Sequence, residues 1–125
     1  MRPELQEKIF ALKPEWFKDL QYGIECGDGW FDLIRDLTVK LLALEVEEPD
    51  NFLDFKVVQI KQKFGGLRYY FSGNQDNVHR RIDTLINGYE TKSYATCEAC
   101  GKEARVRTLG YVVTLCRYPH DQAEG

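Results

Sequence analysis

The stretch FLDFKVVQIKQKFGGLRYYF, residues 52–71, decides the fold. It is rich in β-branched and aromatic residues that alternate with polar ones, a period-two pattern typical of strands. Residues 52–64 and 67–71 therefore predict two strands. Gly65-Gly66 predicts the two-residue turn between them, because primed turns need positive φ. The sequence thus places a β-hairpin near the middle of the chain.

The predicted turn also fixes which side chains share a face of this hairpin. Phe64 is expected to face Leu67 on an apolar surface that covers helices. Lys63 is expected to lie directly across from Arg68 on the opposite face. That opposite face then carries Lys61, Lys63, Arg68 and Tyr70.

Like charges that face each other across strands are unfavourable by up to about 1 kcal/mol. Two roles for this basic face stay open. It forms an internal ion-pair surface with acidic residues from the first half of the chain, or it binds an anion such as a phosphate-bearing ligand or a nucleic acid. In the second case Tyr70 would stack on a base, and Arg105 and Arg107 would extend the site.

Helical periodicity on both sides of the hairpin predicts an α+β fold in which helices pack on the hairpin. Residues 4–12 and 14–20 predict short helical segments, and residues 30–45 predict the clearest helix, with Asp28 as its N-cap. A further helix is predicted over 78–89, capped by Asn74 or Asp76. The apolar stripe of the 30–45 helix consists of Trp30, Ile34, Leu37, Leu41 and Leu44.

The strongest chemical signal is Cys97-Glu-Ala-Cys100-Gly101, followed by Cys116-Arg-Tyr-Pro-His120. Zinc takes four sulfur and nitrogen donors in a tetrahedron, and two thiolates separated by two residues bind one ion from a tight turn. Gly101 allows that turn to curl. Residues 102–115 predict a small hairpin, with Gly110 at its turn, that returns Cys116 to the first pair. Cys97, Cys100, Cys116 and His120 are therefore the predicted zinc ligands.

A disulfide would also place cysteines in pairs, but a cytosolic setting disfavours it. Four unrelated residues would not be expected to show this paired spacing. Because protein donors fill all four positions, the predicted zinc is structural and leaves no place for a catalytic water. Cys26 lies far from these ligands in the sequence and is predicted to be a buried or partly buried free thiol.

Composition describes one globular domain. The chain has 125 residues, 43% of them hydrophobic, and a net charge of −3. Residues 1–94 are predicted to form the helical and hairpin part, and 95–125 the zinc module of the same domain. Residues 1–55 hold 6 Lys/Arg against 13 Asp/Glu, whereas residues 56–125 hold 11 against 7. A net charge of −3 is not typical of a protein that binds nucleic acid non-specifically, but it permits a local anion site.

Several stretches resemble small uncharacterised proteins of phages and prophages. They are Gly29-Trp30-Phe31, QIKQKFGGLRYYF at 59–71, TCEACG at 96–101 and TLCRYPH at 114–120. The resemblance implies an intracellular accessory protein of phage type and suggests no reaction. Only DQAEG follows His120, so a zinc ribbon or a knuckle with a hairpin is expected rather than a full treble clef.

The sequence contains no phosphate-binding loop, H-E-x-x-H, G-x-S-x-G or G-x-G-x-x-G motif, so we expect no enzymatic activity. The predicted function is binding of a host protein or an anionic ligand in the host cytoplasm, including inhibition of host defence. The charged start MRPELQEKIF, unlike a secretory signal, and the lack of a long apolar run favour this location. The alternatives are a nucleic-acid-binding zinc module and a divergent treble-clef nuclease. A homo-oligomer is compatible with the sequence, and a membrane partner is not expected.

Overall fold

The computed structural model describes residues 1–73, 79–118 and 120 and confirms the α+β fold class. The described helices are α1 (Pro3–Phe10), α2 (Phe31–Glu47) and α3 (His79–Ser93). The strands are β1 (Ile24–Glu25), β2 (Lys56–Lys63), β3 (Gly66–Ser72), β4 (Arg105–Thr108) and β5 (Val112–Leu115). Three short 3-10 turns span Pro14–Phe17, Asp28–Trp30 and Pro49–Phe52.

The strands form two sheets. In the larger sheet β2 lies in the middle, antiparallel to β3 and parallel to β1. Strand β1 lies within a glycine-rich segment and is only two residues long, too short to show a periodic pattern in the sequence. Strands β4 and β5 form the small antiparallel hairpin predicted between the two ligand pairs.

The predicted register of the β2–β3 hairpin is wrong by two residues. Lys63 pairs with Gly66, so the turn is formed by Phe64 and Gly65, at φ +54° and +84°. Both central residues of a type I′ turn have positive φ, and Phe64 adopts this conformation although it is bulky. Gly66 belongs to β3 instead, where a Cβ atom would lie 2.7 Å from Cε1 of Tyr94. Close approach, rather than turn geometry, therefore explains the second glycine.

A shift of two residues keeps residues 59–63 and 67–70 on their predicted faces. A β-bulge between Val57 and Gln59 changes the alternation at the start of β2 and places Val57 on the buried face. Arg68 consequently lies across from Lys61 rather than from Lys63. Phe64 moves from the predicted apolar face to the tip of the hairpin, where it is 66% exposed.

The core lies between the helices and the inner face of the larger sheet. The predicted apolar stripe of α2 is confirmed, because all five of its residues are buried. The hydroxyl of Tyr69, on β3, hydrogen bonds to Thr38 Oγ1 of α2 at 2.9 Å, so a buried polar pair joins the two layers. The sheet contributes Val57, Ile60, Leu67 and Tyr69 to this core.

Two capping predictions have different outcomes. Asp28 does not cap α2; a 3-10 turn precedes the helix, and the Asp28 carboxylate accepts from the backbone N–H of Arg2 at 2.8 Å and pairs with its Nε at 2.7 Å. Asn74 and Asp76 lie outside the described residues, as do residues 121–125, on which the expectation about a C-terminal helix depends.

Candidate metal centre

The predicted ligands come together in the structure. The ligand atoms of all four residues lie within 4.8 Å of one another. The tight turn after β-bridge residue Thr96 supplies the first two, and its Gly101 has φ +85°, as the predicted curl requires. The β4–β5 hairpin returns the chain to this turn and delivers the other two. The four residues are Cys97, Cys100, Cys116 and His120.

The sulfur spacing fits a shared metal ion better than a disulfide. The Sγ atoms of Cys100 and Cys116 are 3.6 Å apart, whereas a disulfide bond is about 2.05 Å long. Two thiolates that each lie about 2.3 Å from a tetrahedral zinc ion would be about 3.8 Å apart. The geometry therefore matches neighbouring corners of a metal tetrahedron.

The imidazole of His120 supplies an independent observation. Its Nδ1 atom is buried and has no hydrogen-bond partner among the described residues. A buried polar atom without a partner is unfavourable, and native structures rarely leave one. A metal ion bound to the three sulfurs would give this nitrogen its partner, so the donor set fits a metal site.

Backbone groups of the turn favour the thiolate form of Cys97. Burial by itself raises the pKa of a thiol, but the N–H groups of Cys116, Cys100 and Ala99 hydrogen bond to this sulfur, and the pKa of Cys97 is lowered. Cys97 is fully buried, while Cys100 and Cys116 are partly exposed. The innermost sulfur thus has the donors that a metal-bound thiolate needs.

Residues 96–101, which we call the metal-binding turn, pack against the segment Gly27–Trp30, which we call the docking loop. The backbone N–H of Gly29 donates to the carbonyl of Glu98 at 2.8 Å, and the N–H of Gly27 donates to the Glu98 carboxylate at 2.9 Å. The indole N–H of Trp30 donates to the carbonyl of Thr96 at 2.8 Å. Three hydrogen bonds therefore join the metal centre to the start of α2.

Close backbone approach explains why glycine occupies position 29. A Cβ atom on Gly29 would lie 2.6 Å from the backbone nitrogen of Gly101 and 2.7 Å from that of Cys100, and closer still to the carbonyl oxygen of Cys97. All three are backbone atoms of the metal-binding turn, so no side-chain rotation relieves the overlap. The sequence shows this glycine but does not show what it contacts.

A second link joins the module to the tip of the β2–β3 hairpin. The hydroxyl of Thr114, in β5, donates to the carbonyl of Gly65 at 2.6 Å. The carbonyl of the same Thr114 accepts from the backbone N–H of Glu98 at 3.0 Å. One buried threonine therefore contacts both the metal-binding turn and the hairpin tip, a role that the sequence pattern does not reveal.

Cys26 is a buried thiol, as predicted, and lies outside the metal centre. Burial, and secondarily the nearby charge of Glu98, raise its pKa to about 12. Burial also raises the pKa of the Glu98 carboxyl, although the hydrogen bond from Gly27 opposes this shift. Cys26 is therefore protonated at neutral pH and is a poor nucleophile.

We expect iodoacetamide to leave Cys26 unmodified in the folded protein at pH 8. With a pKa of about 12, only about one thiol in ten thousand is ionised at that pH, and the residue is 7% exposed. Peptide mass mapping after a short reaction measures the modification. In denaturant without metal, all four cysteines should react; rapid labelling of Cys26 in the folded state would contradict the assigned environment.

The predicted basic face combines one neutralised cation with two lysines that have no ion-pair partner among the described residues. Arg68 forms an ion pair with Glu90 at 3.0 Å and donates to the Tyr94 hydroxyl at 3.3 Å. Within the described ranges, neither Lys61 nor Lys63 has a carboxylate at ion-pair distance. The carboxylate that compensates Arg68 comes from α3, not from the acidic first half of the chain.

Arg105 and Arg107 lie on the face of the β4–β5 hairpin that points away from the Gly65 turn. They alternate along β4 with Val106, and it is Val106 that lies near the Gly65 turn, its Cγ1 being 3.5 Å from a Cβ built there. The two arginines therefore lie on the other face of the small hairpin. Arg107 donates from Nε to the carbonyl of Leu115 at 3.1 Å, which ties it to its own hairpin.

Comparisons with known proteins give no match to a protein-family model, to a curated protein or to a solved structure. In the part of the chain that the structure describes, no helix combines the length and apolar character needed to cross a membrane.

Proposed function

We propose that Cys97, Cys100, Cys116 and His120 bind one structural Zn²⁺ ion, and that the chain is a non-enzymatic binding protein which this ion stabilises. The observation that carries the proposal is the convergence of three sulfurs and one imidazole nitrogen within 4.8 Å. The buried Nδ1 of His120, which has no hydrogen-bond partner among the described residues, supports it. Thiolate and imidazole donors in a tetrahedral set suit zinc. Four protein ligands complete that set, so the ion has a structural role and activates no water.

The docking of the module supports a structural role for the metal. The bound turn accepts hydrogen bonds from the docking loop, and Thr114 connects it to the hairpin tip. By fixing the shape of this turn, the ion would support hydrogen bonds to parts of the chain that are distant in sequence. A binding surface that spans these parts would depend on the metal for its shape.

The wider biological setting is proposed from the sequence resemblance. By that resemblance the chain is an accessory protein of phage type that acts in the host cytoplasm. It would bind a host component or an anionic ligand, without turnover, and inhibit host defence in this way. Nucleic-acid binding is the second candidate, and it is favoured by Lys61 and Lys63 on the hairpin, which have no ion-pair partner among the described residues.

Native mass spectrometry tests the metal assignment directly. We expect one zinc ion per chain in protein purified without added metal, and its loss in Cys116→Ser. The matched control is Cys26→Ser, which removes a thiol outside the site and should keep one zinc ion. The same spectra give the oligomeric state. A wild-type protein without metal, or a zinc-loaded Cys116→Ser variant of equal affinity, would disprove the assignment.

The binding role needs a separate measurement. The zinc-loaded protein is used to capture components from a bacterial lysate, and the captured partner is then purified and its dissociation constant measured. We expect a released ligand to have the same mass as the free ligand, because no reaction takes place. A ligand that is converted on incubation would show an enzyme instead.

A further inference from the structure

The tip of the β2–β3 hairpin has two unfavourable features that no contact among the described residues explains. Phe64 is 66% exposed, and it has φ +54°, a conformation that bulky side chains rarely adopt. Asparagine or glycine would form the same type I′ turn without strain and without exposing a ring. Strain of this kind that persists in a fold is typical of binding and switch sites.

A lysine that has no ion-pair partner among the described residues lies beside the exposed ring. The ammonium of Lys63 lies 5.8 Å from the centroid of the Phe64 ring, within the range of a cation–π contact. Lys61 lies two residues before Lys63 in β2, on the same face of the strand. Glu25 is adjacent to Lys61 in the register, but its carboxylate accepts from Gln59 at 3.4 Å. No carboxylate of the described residues lies within ion-pair distance of either ammonium group.

A second aromatic ring lies on the same face. Tyr70 is 40% exposed and alternates in phase with Arg68, which places it on the outer face of the hairpin. At about 3.3 Å per residue, Tyr70 lies about 13 Å along β3 from its first residue, Gly66. We call Lys61, Lys63, Phe64 and Tyr70 the hairpin surface.

We propose that the hairpin surface binds single-stranded nucleic acid, with bases stacked on Phe64 and Tyr70 and phosphates paired with Lys61 and Lys63. Exposed aromatic rings beside unpaired cations are the features that single strands use, because their base faces are accessible and their backbone is anionic. A duplex hides those base faces in its stack. The proposal deepens the proposed binding function by naming the partner class, and it does not require that Phe64 or the lysines touch the metal.

Fluorescence anisotropy with the full-length, zinc-loaded protein tests this proposal. The probes are labelled oligothymidine and oligouridine of about 12 nucleotides, a length within the usual site sizes. We expect saturable binding at about 50 mM salt. With two phosphate contacts on a single strand, the affinity should fall about sevenfold between about 50 and about 200 mM salt. A duplex of the same length should bind more weakly.

Phe64→Asn separates binding from folding. Asparagine tolerates positive φ, so the turn should keep or gain stability, while loss of one stacked base should weaken oligonucleotide binding about tenfold or more. The matched control is Tyr22→Asn, which removes a ring that is 70% exposed elsewhere and should leave affinity unchanged. Lys61→Gln and Lys63→Gln should each reduce the salt slope by about 0.7, whereas Lys18→Gln should not change it.

Three outcomes would overturn the proposal. One is no oligonucleotide binding by the wild-type protein at low salt, and another is Phe64→Asn binding with unchanged affinity and salt slope. The third is a purified acidic protein that needs Phe64 while oligonucleotides do not bind, which would make the surface a protein-docking site. Zinc content is measured for every variant, so a failure of the metal assignment is distinguishable from a failure of this proposal.

Discussion

Removal of the metal ion is expected to unfold residues 95–118 and to lower the melting temperature by about 10 °C or more. Among the described residues of this module only Cys97 and Thr114 are buried, and the main hydrophobic core runs from Ile9 to Tyr89 without including it. The module therefore lacks the apolar burial to hold its own shape. Thermal unfolding with and without a strong chelator, together with hydrogen exchange of its amides, measures the effect.

Cys97→Ser should reproduce the effect of the chelator, because it removes the innermost ligand. Cys26→Ala is the matched control, since it removes a buried thiol without touching the metal centre and should keep the chelator-dependent shift. The helical core should retain its secondary structure in each case. If the chelated protein melts at the same temperature and keeps the same exchange protection, the structural role of the metal is wrong.

Gly29→Ala should be strongly destabilising, although position 29 supplies no ligand. We expect a loss of about 3 kcal/mol in the free energy of unfolding and a weaker zinc affinity. The added methyl group would meet the backbone of Cys97, Cys100 and Gly101, so the turn must move away from the docking loop. That movement also breaks the hydrogen bond from the Gly29 N–H to Glu98. Denaturant unfolding and competition with a chromogenic chelator measure the two effects.

Gly88→Ala provides the comparison. Gly88 lies within α3, and nothing lies within 4 Å of a Cβ atom built there. Alanine is the better helix former by about 1 kcal/mol, so this variant should be more stable and should bind zinc unchanged. Equal behaviour of the two variants would show that position 29 is not constrained by the metal-binding turn.

The larger features of the fold could be predicted because they have clear periods. The stripe of α2 and the alternation in β2 and β3 each extend over several residues, so burial and faces follow from the sequence. The register could not be predicted, because it depended on whether Gly65-Gly66 or Phe64-Gly65 forms the turn. Sequence propensity favours the glycine pair, and the close contact between Gly66 and Tyr94 overrides it.

At the metal site, too, local features could be predicted from the sequence and long-range contacts could not. The ligands could be predicted from spacing within 24 residues of chain, because C-x2-C and C-x3-H pairs are local patterns. The contacts that hold these ligands in place could not be predicted, since the docking loop lies about 70 residues earlier and contributes mainly backbone groups. The neutralisation of Arg68 by Glu90 could not be predicted for a similar reason, because it depends on how α3 packs beside β3.

The docking loop has a consequence for protein engineering. If residues 95–125 were cut away, the N–H groups of Gly27 and Gly29, the indole N–H of Trp30 and the carbonyl of Gly65 would all lose their partners. A graft of this module onto an unrelated scaffold would have to bring residues 27–30 with it. The module of residues 95–125 therefore cannot be transferred alone, because the structural unit to which it belongs also includes the docking loop.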